Sequence, residues 1–206
     1  MRAYLDDQPL RPDPASADDA LRAGANAAQR RGRIIIDIIA DGRSVGPDEL
    51  GTPSVSPVDE LRLVSAEPLA LVREALGDAR GLLSDLRAVQ TRAADAFMLG
   101  EFEDGVVQLR DVVGAWQRVR TAAEQAGVLL STPVESLALD VGDGPRPMRN
   151  EIDTLAATLS SLRDAIAKQD VAALADLLEY DLGALARRWD RLLAAFMETG
   201  PCQGRS

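Results

Sequence analysis

From Leu69 to Phe196 apolar residues recur at intervals of three and four in four separate runs, and this period restricts the possible fold more than any other feature of the chain. It is the repeat of one face of an α-helix. The first run reads Val72, Leu76, Ala79, Leu83, Leu86, Ala93 and Phe97, with Gln90 as its one polar member. The second passes through Phe102, Val106, Leu109, Val113, Trp116, Val119 and Ala123, and the third through Met148, Ile152, Leu155, Leu159, Leu162 and Ile166. The fourth begins at Val171 and Leu174 and continues through Leu178, Leu182, Leu185, Trp189, Leu192 and Phe196. Each stripe must be covered, and a connection as short as Leu99-Gly100 makes its two helices antiparallel, so residues 67–199 are expected to form an antiparallel four-helix bundle. A polar tail, 200–206, follows.

Several residues mark the ends of these helices. Pro68 opens the first where its missing N–H costs least, and Asp170 can cap the last. Gly77 and Gly81, four apart inside the first helix, suit either a close helix crossing or a kink. The stretch 128–147 is the least regular: Val134–Val141 is compatible with a strand or a helical turn, and Gly142–Pro147 reads as loop.

Residues 1–66 have a different grain. A short strand, a turn around Asp6-Asp7-Gln8 and a return strand are stopped by Arg11-Pro12-Asp13-Pro14. Ser16 is placed to cap a helix over roughly Ala17–Arg30, whose face of small residues includes Gly24 and suits lying close on a sheet. Arg33–Ala40 is β-branched almost throughout and ends at Asp41-Gly42, a strong hairpin signal, with Arg43–Val45 as its return. A loop over Gly46–Pro57 leads to a last strand at Glu60–Ser65. Strand, strand, helix, strand, late strand is an order that resembles a β-grasp, or ubiquitin-like, module. The expected fold class is therefore α+β, a β-grasp-like module followed by a four-helix bundle.

Two Trp, two Tyr and three Phe leave the core to Leu, Val, Ile and Ala. The formal net charge of −10 disfavours nucleic acid and anionic membrane surfaces as partners. Cys202 is the single cysteine, so no internal disulfide can form. No signal-peptide pattern opens the sequence and no apolar run approaches the ~20 residues of a bilayer span, so a cytoplasmic protein is expected.

The chain contains no histidine. That removes Ser-His-Asp and Cys-His nucleophilic sites, His-ligated zinc and the Glu-x-x-His pairs of di-iron bundles. Lys168 is the only lysine, and no phosphate-binding Gly-x-x-x-x-Gly-Lys-Ser/Thr loop exists. Asp176, Glu179 and Asp181 on the last helix read as solvated flank in preference to an acid/base pair, and Asp140-Val-Gly-Asp143-Gly as an acidic turn in preference to a calcium loop. No catalytic, cofactor-binding or metal-ligating residue is assigned, and no cofactor is expected.

The densest basic spot is Arg187-Arg188-Trp189-Asp190-Arg191. Trp189 and Trp116 fall on apolar stripes and read first as core anchors, second as contacts with a partner. Trp116, Trp189, Arg187 and Arg188 are accordingly the candidate partner-binding residues.

Leu174-Ala-Asp-Leu-Leu-Glu-Tyr-Asp-Leu182 with Arg188-Trp189, and the Gly100-Glu-Phe-Glu-Asp104 hairpin, are similar to an uncharacterised bacterial family, a resemblance that implies no activity. The helical half also resembles flagellar and secretion export chaperones in being a small acidic bundle. The leading expectation is a non-enzymatic adaptor or assembly factor that binds another protein through its bundle, in a groove that accepts an amphipathic helix. The alternatives are an export chaperone-like protein, a small-ligand-binding protein or carboxylate-based enzyme, and a homo-oligomer.

Overall fold

The computed structural model of the chain is an α+β structure that describes residues 1–50, 58–142 and 144–199. The expected tail with Cys202, residues 51–57 of the expected loop, and Asp143 of the acidic turn lie outside the described residues. Two compact units, Met1–Leu71 and Val72–Ser206, divide the chain.

The first unit contains β1 (Arg2–Leu5), β2 (Gln8–Pro9), α1 (Ala17–Gln29), β3 (Ile34–Ala40), β4 (Arg43–Ser44) and β5 (Glu60–Ala66). These strands form one mixed sheet in the order β2-β1-β5-β3-β4, in which β1 runs parallel to β5 and the other pairs are antiparallel. Both hairpins turn through two residues of positive φ, Asp6-Asp7 and Asp41-Gly42, the combination whose twist matches that of the flanking strands. Ser16 caps α1 by accepting a hydrogen bond from the Asp19 amide at 3.2 Å. The helix turns Ala20, Gly24 and Ala28 toward the sheet. A Cβ on Gly24 would run into the side chain of Leu63, so the absent side chain sets how closely helix and sheet approach. Ala3, Leu5, Ile38, Leu61 and Leu63 fill the space beneath.

Asp6 ties this unit together beyond its turn. Its carboxylate accepts from the Ser65 hydroxyl at 2.6 Å and the Ser65 amide at 2.7 Å, with Arg33 at 3.6 Å. The hydroxyl bond chiefly, then the amide and the nearby guanidinium, hold this carboxyl below its ordinary range against the opposing effect of burial. A carboxyl lowered in the folded state stabilises fully above its unfolded value, and that contribution is lost as pH falls below about 4 through the folded value. The protection factors of the β1 and β5 amides, taken relative to the intrinsic exchange rate at each pH, should therefore fall on acidification below this point. Asp6→Asn should flatten that part of the acid profile, and an unchanged profile would rule out Asp6 as its source.

The second unit holds most of α2 (Pro68–Met98), all of α3 (Phe102–Leu129), β6 (Ala138–Asp140), β7 (Pro145–Pro147), α4 (Met148–Lys168), α5 (Val171–Asp176) and α6 (Leu182–Thr199). Leu177–Asp181, between α5 and α6, is π-helical. The wider turn accommodates an extra residue, so Leu174 before it, Leu178 within it and Leu182, Leu185 and Trp189 after it all remain buried. Gly100 reverses the chain between α2 and α3 at φ +80, where the rings of Phe97 and Phe102 meet edge-on at 5.3 Å. On α3 the buried face is rotated slightly from the expected stripe: Val112 is buried and Val113 only partly so.

Two expectations change in this unit. Pro145–Pro147, read as loop, is a strand that pairs antiparallel with Ala138–Asp140. Val134–Val141, left open between strand and helical turn, contains both, a 3₁₀ turn at Val134–Ser136 and then β6. Leu139 is the reason the hairpin forms, because it is buried in the helical core while its neighbours face outward. The hairpin and the π-helical segment make the unit more elaborate than four plain helices.

The glycines separate by what surrounds them. A Cβ on Gly77 or Gly81 would meet nothing within 4 Å, so neither permits a close helix crossing. A Cβ on Gly127, in contrast, would lie 2.7 Å from the Thr132 carbonyl oxygen and 3.1 Å from the Val134 nitrogen. Gly77→Ala and Gly81→Ala should each raise stability by about 0.5–1 kcal/mol through helix propensity alone. Gly127→Ala, equally favourable to the helix, should lower it by about 1–3 kcal/mol because rigid backbone must move. Urea unfolding midpoints of the three variants would read the difference, and a common sign would refute it.

Candidate functional site: an arginine-lined groove between α2 and α6

The 3–4 period that buries one face of α2 also fixes what stands beside that face. Arg80, Ser84 and Arg87 follow one another along the flank of Leu83 and Gln90, and these five residues form one wall of a groove. The opposite wall belongs to α6, where Gly183, Ala184 and Ala186 present little side chain and Arg187, Arg188 and Arg191 rise at the edge. The groove has a volume of about 1120 Å³.

Its electrostatics oppose those of the whole protein. Five arginines and one carboxylate, Asp190, line it in a chain of net charge −10. Asp190 is committed to Arg80, accepting from Nε at 2.7 Å and from a terminal nitrogen at 3.4 Å. This hydrogen bond is the main reason the Arg80 guanidinium holds its proton even more tightly than usual. Arg188 donates through Nε to Glu151 at 3.1 Å, and that carboxylate lies 3.9 Å from Arg146. Arg87, Arg187 and Arg191 form no hydrogen bond or ion pair among the described residues, and all three are exposed. Three positive charges thus remain uncompensated along one groove.

Gln90 adds a different kind of polarity. It is 2% exposed, and neither its amide nitrogen nor its amide oxygen has a hydrogen-bond partner. An unpaired buried amide typically costs about 1–3 kcal/mol, so its place in an apolar stripe is not explained by packing.

The sequence candidates fall into two sets. Arg187 and Arg188 stand at the groove, Arg187 exposed and Arg188 partly buried. Trp116 and Trp189 are both 0% exposed, and their rings meet edge-on in the core with centroids 5.8 Å apart. A side chain with no accessible surface meets a partner only if the core opens. Asp176, at the end of α5, and Glu179 and Asp181, in the π-helical segment, are all exposed. Sequence reasoning missed Arg80, Arg87 and the buried carboxylate of Glu151, although Gln90 was visible as the polar break in its stripe.

Chemically the groove offers fixed positive charge. Arginine stays charged under all ordinary conditions and offers a planar fork of donors suited to carboxylate or phosphate. Among the described residues no group of three His, Cys, Asp or Glu is placed to hold a metal ion, and no helix is long and apolar enough to cross a membrane. A second groove, of about 800 Å³ in the first unit, runs between α1 and β3 past Leu21, Ile36 and Val45 and is mainly apolar. The sequence matches no protein-family model, and neither a curated protein nor a solved structure is significantly similar to it.

Proposed function

We propose that the protein is a non-enzymatic interaction protein, an adaptor or assembly factor of the cytoplasm, whose helical unit binds another protein along the groove between α2 and α6. The observation that carries this reading is the trio Arg87, Arg187 and Arg191, which face solvent without a counter-charge beside an apolar floor. Charged side chains left unpaired around a concave surface contribute little to folding and are suited to steering and orienting a partner. The strand order β2-β1-β5-β3-β4 around one helix supports a β-grasp-like reading of the first unit. The four long helical stretches support a four-helix bundle with a hairpin inserted between its second and third helices.

In-cell photo-crosslinking provides the test. A benzoylphenylalanine at Ser84, on the groove wall, should capture a discrete protein adduct that the same probe at Val107 on α3, 51% exposed, does not. Absence of any adduct specific to Ser84 would remove this reading.

A further inference from the structure

We infer that the occupant of the groove is an acidic amphipathic helix presented by a partner protein, an inference that rests on the helical unit being a protein-binding unit. The wall from Arg80 to Gln90 is about 15 Å long at the helical rise, enough for two to three turns of a docked helix. Gly183, Ala184 and Ala186 keep the α6 side shallow, so another backbone can approach closely there. Leu83 and the alanines give the floor an apolar surface, and the unpaired arginines stand along its edges. An occupant that matches both features has an apolar ridge facing inward and carboxylates on its flanks.

Charge separates this occupant from others that arginines attract. A small phosphate-bearing molecule would use the guanidinium groups but leave the apolar floor unmatched. A nucleic acid would extend past the groove onto a protein of net charge −10 and be repelled there. A second copy would bring another −10 of charge into contact with the first. A short acidic helix confines its negative charge to the one place where positive charge is in excess.

The probe is a synthetic helical peptide with a leucine and alanine face flanked by glutamates, compared with a counterpart in which every glutamate is glutamine. It is titrated into the full-length protein, with occupancy read from the side-chain amide resonance of Gln90 and affinity from fluorescence anisotropy. The acidic peptide should bind at least about ten-fold more tightly than its neutral counterpart and weaken as salt is raised. The double variant Arg187→Glu, Arg191→Glu should lose about ten-fold or more in affinity while keeping its urea midpoint, because both side chains are exposed and unpaired. Arg118→Glu, an exposed control on α3, should bind normally.

Equal binding of the two peptides, or indifference to the double variant, would overturn the inference. So would inorganic triphosphate binding more tightly than the peptide with the same arginine dependence, which would mark a small-anion site. Concentration-dependent self-association in light scattering, abolished by the double variant, would overturn it in favour of a second copy. A Ser84 adduct whose cross-linked partner segment carries no acidic helix would sink this inference and leave the protein-binding reading standing, whereas absence of an adduct would remove both.

Discussion

Trp189→Ala is expected to destabilise the helical unit by about 3–5 kcal/mol, the range for deleting a fully enclosed large aromatic side chain. The indole is 0% exposed and meets Trp116 edge-on, with the two ring planes inclined at 81°. Truncation removes transfer free energy and also leaves a cavity that neighbouring leucines can fill only in part. Trp116→Ala should cost a similar amount, and the double variant should fall short of the sum by about 0.5–1.5 kcal/mol, the coupling of an aromatic pair. Urea unfolding followed by far-UV circular dichroism gives all three values. A loss below about 1 kcal/mol for Trp189→Ala would mean that the ring is not a core anchor. Trp189→Phe, which preserves much of the volume, should retain the fold and the peptide affinity of the groove, since the indole contributes no surface to a partner.

The long helices were legible because one repeating requirement produces them. Every three or four residues an apolar side chain must return to the same side, and Leu76, Leu83, Leu86 and Phe97 obey it, with Gln90 the one polar break. The two hairpin turns were legible for a local reason, since Asp6-Asp7 and Asp41-Gly42 tolerate the left-handed backbone that two-residue loops require. β7 was not legible because both of its ends are proline, which argues against a strand wherever ladder donors are needed. A three-residue pairing with β6 needs few of them, and its support comes from Leu139 entering a core built by distant segments. On α3, Val112 and Val113 are both acceptable to the period, and only the packing of neighbouring helices selects Val112 for full burial.

The groove divides in the same way. Arg187 and Arg188 stand side by side in a basic cluster and attract notice from sequence alone. Arg80 and Arg87 lie on α2, about a hundred residues earlier, where one arginine per two turns of a helix reads as ordinary solvated surface. Only the antiparallel course of α2 and α6 brings them to the same groove, as the Arg80–Asp190 pair shows. Trp189, inside the basic cluster, invites reading as a contact for a partner, but the period that places it in the stripe also turns it away from the arginines on either side.

Glu151 joins stability to the groove and gives the second large effect. It is 7% exposed in the first turn of α4, where the helix dipole favours an anion, and it accepts from Arg188 at 3.1 Å. Breaking a fully buried pair costs about 3–5 kcal/mol, but Arg188 retains 31% of its side-chain exposure and can reach water, so Glu151→Ala is expected to cost about 2 kcal/mol. Glu151→Gln keeps an acceptor for the guanidinium and should cost less than Glu151→Ala. The released Arg188 already lines the groove, so the substitution adds one uncompensated positive charge to the three present. Stability and binding should therefore move in opposite directions. Glu151→Gln should unfold at lower urea yet bind the acidic peptide more tightly, with a steeper salt dependence and no gain for the glutamine counterpart. If affinity falls together with stability, Glu151 shapes the groove instead of neutralising it, and Arg188 is then a strut of the fold and not a contact for the partner.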